Sequence, residues 1–416
     1  MFYLIMINKP TQKNISGEWK LIALESLSLK ISDGIHTTPK YSDIGNYYFI
    51  NGNNLYNSKI IFSDDTKKVD CLEYLKHKKD LEQGNTILLS INGTIGSIAY
   101  YNNEQVVLGK SCAYIKLNSK VNVCFIFYFL NSYNTQRYFL SEVTGSTIKN
   151  LSIKSIKSCL VKLPPFPEQK RIVAVLETWD KAIEKLTKKI AVKKEIKKGL
   201  MQELLTGKTR LPGFKDKWET LEIRNIGKIV TGNTPSKKIS DYYGGKYLWA
   251  TALDFSGVYI EDTEIKLSEL GRKVAREVPT GSVLVTCIAS IGKNAIAKKP
   301  MSFNQQINAI IPSVNFDSEF IYYMVENSPN KLKEVAGNGA MAMISKSVFE
   351  SIKLTFPKKD EQTAIANILT TTDNEIKTLQ QKLSLLKDQK KYLLNNLITG
   401  AIRTPETLST KNGVTI

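Results

Sequence analysis

Between positions 176 and 204 the apolar residues of this chain recur alternately three and four apart: Leu176, Trp179, Ile183, Leu186, Ile190, and later Leu200 and Leu204. The same rhythm returns at Leu369, Ile376, Leu379, Leu383, Leu386, Leu393 and Leu397. Such spacing keeps side chains on one stripe and predicts two long amphipathic helices with coiled-coil seams. The two stretches are copies. Glu168 of EQKRIVAVLETWDKAIEKL falls on Glu361 of EQTAIANILTTTDNEIKTL, and the register holds without a gap to Arg210 and Arg403. Both copies close on like words, LLTGKTR and LITGAIR, whose Gly207 and Gly400 suit the positive φ that ends a helix. Pro167 and Pro357 are expected to block the helices from extending backwards. Lys193, Lys197 and Lys390 interrupt the stripe, so the seam is expected to weaken there. The segment 204–210, where the first helix ends, looks the most tolerant of an insertion.

A helix of about 39 residues is roughly 58 Å long, and neither stripe is satisfied by water alone, so each is expected to pack on the other. A globular segment of about 145 residues spans only ~40 Å, too little to carry the chain back along a parallel partner. The pair is therefore expected to run antiparallel, with pseudo-twofold symmetry and one globular domain at each end.

The segments that precede the helices echo each other faintly. GEWKLIALESL at Gly17 resembles DKWETLEIRNI at Asp216, with Trp19 on Trp218. SDGIHTTPK at Ser32 resembles VTGNTPSKK at Val230, and GNTILLSINGTIGSIAY at Gly84 resembles GSVLVTCIASIGKNAIA at Gly281. GSTIKNLSIKSI at Gly145 resembles GNGAMAMISKSV at Gly337. Runs at 86–89, 283–286 and 121–130 are β-branched or aromatic and read as strands. The expected fold is α+β: two mixed α/β globular domains separated by a long antiparallel two-helix coiled coil, built as an internal repeat. The boundaries read as 1–164 and 212–356 for the domains, 165–211 and 357–403 for the helices, and 404–416 as a flexible tail.

Composition narrows the partner. The 416 residues, 42% of them hydrophobic, carry a net charge of +19, which favours a polyanion, nucleic acid first. The segment 165–211 is dense in cations, with twelve lysines and arginines against six carboxylates. The longest apolar run near the start, residues 2–7, is too short for a signal peptide or a membrane span. Cys71, Cys112, Cys124, Cys159 and Cys287 are scattered without a CxxC pair, which suggests reduced thiols in a cytoplasmic protein and no zinc site. With only His36 and His77, histidine-based metal or triad chemistry has little to draw on. No metal ligands are expected.

Three strings imitate enzymes and fail on chemistry. LGKSC at Leu108 has the tail of a phosphate-binding loop, but the glycine that should precede Gly109 by five residues is Glu104. Asp254 with Glu264 and Lys266 mimics a nuclease triplet at a spacing common in lysine-rich chains. LPPF at Leu163 imitates an amino-methyltransferase motif, but leucine cannot accept a hydrogen bond from a target amino group. No catalytic residues are assigned.

Two unlike domains, each followed by a long helix that opens on a proline before Glu-Gln and closes on L-[LI]-T-G, resemble the specificity subunit of type I restriction–modification systems. The likeness runs from Trp19 to about Arg403, and the words GNTPS, SIGK, NQQ and the PPFPEQ–LLTG helix are similar to the recurrent words of that family. The first domain departs from them: TTPK stands where TPSK stands later, and no counterpart to Asn304-Gln305 is legible. The resemblance implies a subunit that binds double-stranded DNA, each domain reading half of a split target. It implies that the helices set the spacer and dock two modification subunits. S-adenosylmethionine, ATP and Mg are expected on the modification and restriction (motor and nuclease) subunits; this chain is expected to bind none of them and to catalyse nothing alone. A coiled-coil adaptor that binds only proteins is the alternative.

In such a reader Asn and Gln can read adenine bidentately, while Lys and Ser more often hold phosphate. The candidates in the second domain are Asn233, Thr234, Ser236, Lys237, Lys238, Lys293, Asn304, Gln305 and Lys346. In the first they are Thr37, Thr38, Lys40, Asn92, Lys110 and Lys149.

Overall fold

The computed structural model describes residues 18–145, 149–337 and 342–406. It divides the chain into two compact units, residues 1–185 with 383–416, and residues 186–382. Each long helix is shared between them, so the units cut across the domain-then-helix segmentation expected from sequence.

In the first unit a four-stranded antiparallel sheet has the order Ser28–Asp33, Cys112–Leu117, Thr86–Ser90, Ile98–Tyr100. All five residues of Thr86–Ser90 are buried, as befits a central strand covered on both faces. A second sheet places Tyr47–Ile50 parallel to Val106–Leu108 and antiparallel to Lys68–Val69. The ribbon Lys20–Ala23 with Leu160–Leu163 returns the chain to the start of the first long helix.

The stretch expected as a strand at 121–130 is instead the helix Val123–Asn131. Its aromatic and β-branched residues have strand propensity, but Asn122 accepts a hydrogen bond from the Phe125 N–H and caps a helix start. Burial of Phe125, Ile126, Phe127, Tyr128, Phe129 and Leu130 then rewards the helix on nearly every face. Propensity yields here to tertiary packing.

The second unit repeats the plan. Its five-stranded sheet has the order Gly227–Thr231, Ile307–Pro312, Val283–Thr286, Asn294–Ala297, Tyr259–Ile260, the last pair parallel. Tyr243–Ala250 runs parallel to Met301–Phe303 in the companion sheet. Glu219–Glu222 with Lys353–Phe356 forms the returning ribbon, and Asp317 caps the helix Ser318–Glu326 as Asn122 caps its counterpart.

The long helices span Phe166–Leu204 and Lys359–Thr399, 39 and 41 residues. Pro167 does not block the first one. It lies second in the helix, within the first turn, where a missing N–H leaves no intrahelical bond unmade. Gly400 follows Thr399 directly with φ +74°, whereas Gly207, at φ +68°, lies three residues beyond Leu204.

Within the first unit Glu168 meets Arg403 and Asp180 meets Lys390. Residue numbers rise on one helix as they fall on the other, so the helices pair antiparallel. Within the second unit Lys193 meets Glu375 at 2.7 Å, Lys197 meets Asp373 at 2.8 Å and Arg210 meets Glu361, again antiparallel. Of the seam residues, Leu176, Leu386 and Leu397 are buried in the first unit, and Trp179, Ile183, Leu383 and Leu393 half-buried. In the second, Ile190, Leu204, Leu369 and Ile376 are buried, and Leu186, Leu200 and Leu379 half-buried. Ile172, Val173, Leu394 and Ile398 extend the stripe into one core; Met201, Leu205, Ile365 and Ala366 extend it into the other.

The lysines that interrupt the stripe have partners. Tyr128 donates to Asp180 at 2.7 Å, and Lys390 pairs with the same carboxylate while lying over the Tyr128 ring. Tyr323, Asp373 and Lys197 repeat the set. Burial first, and the carboxylate next, hold the Tyr128 phenol well above its usual range. The expected tail begins later than position 404, because Thr404 is buried and accepts from Arg171 Nε at 3.3 Å. Residues 407–416, 146–148 and 338–341, and the apolar run 2–7, lie outside the described residues. No described helix is long and apolar enough to cross a membrane.

Candidate nucleic-acid interface

At one end of each unit's main sheet, loops from five parts of the chain are stitched together by backbone hydrogen bonds. In the second unit Gly232 N–H donates to Ile307 O (3.1 Å) and Asn233 N–H to Phe303 O (2.9 Å). The turn 304–306 is fixed by Asn304 N–H to Ala250 O (3.1 Å), Ile307 N–H to Asn304 O (3.2 Å) and Cys287 N–H to Gln306 O (2.8 Å). Gly292 N–H returns to Thr286 O (2.9 Å), and Ile344 N–H reaches Cys287 O (2.8 Å).

The first unit makes the same bonds with other residues. Gly34 N–H donates to Cys112 O (3.1 Å), Ile35 N–H to Leu108 O (2.7 Å), Gly109 N–H to Ile50 O (2.8 Å) and Cys112 N–H to Gly109 O (2.9 Å). Ile91 N–H donates to Ser111 O (3.0 Å), Gly96 N–H to Ser90 O (3.0 Å) and Leu151 N–H to Ile91 O (2.9 Å). Bond for bond, Gly34 matches Gly232, Ser90 matches Thr286 and Leu151 matches Ile344. The counterpart of Asn304-Gln305, illegible in the sequence, is therefore Gly109-Lys110, the string that imitates a phosphate-binding loop. The matching of Ser90 to Thr286 also moves the gapless alignment of those strands by one residue.

Two glycines are required by this stitching. A Cβ on Gly34 would lie 2.1 Å from the Leu108 carbonyl oxygen, and one on Gly232 would lie 2.2 Å from that of Asn304. Both are backbone contacts that cannot swing aside. Tight loop crossing, rather than positive φ, demands glycine here.

The candidates fall into two groups. Several are engaged in holding the loops. The Asn233 amide donates to Val274 O (2.9 Å) and accepts from Arg276 N–H (2.7 Å). Lys293 Nζ donates to Ala252 O (2.7 Å), tying two loops together. Asn304 and Gln306 bond to each other. The half-buried Asn92, with its amide nitrogen toward them, faces the Ile91 and Lys149 carbonyls at 3.0 and 3.2 Å. Lys346, at the first position of the helix Lys346–Ser351, holds no loop: it is exposed and sits 3.5 Å from Glu350 of the same helix.

The others face outward. Ser236, Lys237, Lys238, Gln305, Thr37, Thr38, Lys40, Lys110 and Lys149 are exposed. Thr234, half-buried, donates its hydroxyl to Gln305 Oε1. Lys40 N–H bonds Glu73, setting it against the helix Cys71–His77. Sequence reasoning missed Arg276, which is exposed, donates from Nη1 to Thr231 O (2.9 Å) and adds a cation beside the 232–238 loop. It carried no motif signal; only the fold brings it there. Beneath the loops Cys287 is buried, which pushes its thiol up to about 11, and its sulfur accepts from Asn308 Nδ2 at 3.2 Å. Among the described residues no cluster of His, Cys, Asp or Glu suits a metal ion.

A surface of this kind offers two rigid, polar and cationic loop cradles on a chain of net charge +19. Comparison with known proteins agrees with a repeated unit. The family described as "Type I restriction modification DNA specificity domain" matches residues 17–194 and again 215–388. The putative type I restriction enzyme MjaX specificity subunit of Methanocaldococcus jannaschii is 25% identical, over 94% of this chain and 95% of its own. The HindI specificity subunit of Haemophilus influenzae is 22% identical, over 93% and 100%. The MjaIX specificity subunit of Methanocaldococcus jannaschii is 31% identical, over 43% of each chain. Among solved structures, the S subunit of a type I restriction–modification system from M. genitalium shares the fold at TM-score 0.58 and 17% identity, over 93% of this chain and 98% of that one. A chain from a structure on complex assembly of the type I R-M system does so at TM-score 0.63 and 16% identity, over 93% and 99%. With two matches that together span most of its length, this chain belongs to the type I restriction–modification DNA specificity family and carries that domain twice.

Proposed function

We propose that this chain is the DNA-reading subunit of a type I restriction–modification complex, in which each loop cradle reads one half of a bipartite duplex target. The observation that carries this reading is the pair of cradles: one backbone stitched twice by the same hydrogen bonds, with different side chains at the rim. Identical scaffolds with unlike rims suit two half-sites of unlike sequence. Rim side chains that meet phosphate supply affinity without sequence information, while those that meet base edges in the grooves supply specificity. The long helices act as the spacer and as the docking surface for two modification subunits, and restriction subunits join through that complex. S-adenosylmethionine, ATP and Mg belong to those partners, and the chain alone catalyses nothing. Its place is the cytoplasm, where the DNA is.

Methylation mapping in a host that expresses the chain with its modification subunits tests this reading. The expected result is one bipartite, adenine-methylated motif that vanishes when this chain is omitted. Methylation without a bipartite motif, or a motif that persists without this chain, overturns it.

A further inference from the structure

The turn 304–306 presents a single side chain. Asn304 and Gln306 fold back on each other, and the backbone on both sides is held by the neighbouring loops. Gln305 between them is exposed. Its Oε1 accepts the Thr234 hydroxyl, which anchors the amide and leaves one oxygen lone pair open. The equivalent turn of the first unit is built the same way. Ser111 Oγ donates to Asn51 Oδ1 and accepts from Gly52 N–H, both at 2.9 Å, and so faces inward. Gly109 has no side chain, and Lys110 is exposed.

We propose that Lys110 and Gln305 are one reading position used twice, each setting the identity of a single base pair in its half-site. This rests on the DNA-reading function above. Lysine and glutamine can each donate to a phosphate oxygen, but such a contact carries no sequence information and makes no use of an amide held in one orientation. At one outward position on a fixed turn, beside a hydroxyl that orients the amide, the contact this arrangement suits is a base edge. Glutamine has one donor and one acceptor side by side, complementary to adenine N7 and N6–H. Lysine has donors only, complementary to the two acceptors N7 and O6 of guanine. The second unit thus reads an A·T pair at this position and the first a G·C pair. Thr234 is a positioning residue: it orients the Gln305 amide and touches no base in this scheme.

The same methylation mapping, done on the whole complex, tests it. Gln305→Ala should relax one base pair of one half-site, with preference there falling about tenfold, and leave the other half-site unchanged. Gln305→Lys should switch that pair from A·T to G·C, and Lys110→Gln should make the opposite switch at one pair of the other half-site. Thr234→Val should loosen the same pair as Gln305→Ala, and Thr234→Ser should restore it. An unchanged motif from Gln305→Ala, or relaxation spread over several pairs, overturns the proposal. Should Gln305→Ala abolish methylation, Gln305→Lys decides: methylation at a motif altered in one pair supports the proposal, and none overturns it. Failure of the underlying reading is distinct, because the unaltered complex would then lack a bipartite motif.

Discussion

Arg403 grips Glu168 across 235 residues of sequence, its Nε and Nη2 donating to the two carboxylate oxygens at 2.6 and 2.7 Å. Trp19 Nε1 adds a third donor at 3.1 Å, and the guanidinium lies over the indole ring, 5.3 Å from its centroid. The second unit builds the same clasp from Arg210, Glu361 and Trp218. A Cβ on Gly400 or Gly207 would stand 3.4 Å from the Trp19 or Trp218 ring. The Glu-Gln that opens each helix and the Thr-Gly that closes the other thus meet in one structure. The glutamines complete it: Gln169 joins Asn122 N–H to Pro164 O, and Gln362 joins Asp317 N–H to Pro357 O.

The clasp should be a main source of stability for its unit. Glu168 is 3% exposed, and removing one member of a buried ion pair commonly costs 3–5 kcal/mol. Because Arg403 is partly accessible and can rehydrate, Glu168→Ala should cost about 3 kcal/mol, lowering Tm by roughly 6–12 °C. Thermal unfolding followed by circular dichroism reads this directly. A Tm within a degree of the parent would show that the clasp contributes nothing.

Glycine substitutions should separate required glycines from incidental ones. Gly232→Ala forces a Cβ into two carbonyl oxygens at 2.2 and 2.3 Å and should destabilise by about 1–3 kcal/mol. Gly257→Ala meets nothing within 4 Å and should be neutral. Gly199, inside the first long helix, also meets nothing, so Gly199→Ala should stabilise by about 0.8–1 kcal/mol. Urea midpoints of the three variants check the order.

Burial pushes the Cys112 and Cys159 thiols up to about 12 and that of Cys287 to about 11. At pH 8 these three should resist a thiolate-directed reagent in the folded protein, while the exposed Cys71 reacts first. Raised folded values favour the neutral thiol. Their contribution to stability is therefore complete below the unfolded pKa of about 8.5 and declines as pH rises from there towards 11–12. Counting modified thiols with and without denaturant at pH 8 tests the first statement. A urea midpoint that rises between pH 8.5 and 10 in the parent, but not in a Cys112→Ala, Cys159→Ala, Cys287→Ala triple variant, would contradict the second.

If the helices set the spacer of a split target, lengthening both should lengthen the spacer. A heptad adds about 10.5 Å of helix and keeps the seam, so one heptad after Lys185 and one after Lys382 should add about three base pairs. The segment 204–210, attractive from sequence alone, is the wrong place. Arg210 is locked to Glu361, and Glu203 holds Lys208 and Thr209 at 2.7 Å. Methylation mapping would report the new spacer, and an active variant with the old one would refute the ruler.

Much of this protein was legible as a linear pattern. The two helices, their internal repeat and the glycines at their ends follow from a three–four spacing and from words repeated without a gap, because helix geometry is local. Gly34 and Gly232 occupy the same place in SDGIHTTPK and VTGNTPSKK, but only the loop crossing explains why both are glycine. Other features had no local signature. The run 121–130 reads as a strand, and a capping asparagine and burial on nearly every face make it a helix. Lys197 and Lys390 read as flaws in a seam, and a Tyr–Asp pair in each unit makes them members of it. Gly109-Lys110 shares no letter with Asn304-Gln305, and only the same set of backbone hydrogen bonds identifies the two turns. Backbone bonds are made by N–H and C=O groups that every residue but proline carries, so they leave no mark in the sequence. Equivalence of that kind belongs to the tertiary structure, while the side chains at such a turn stay free to differ.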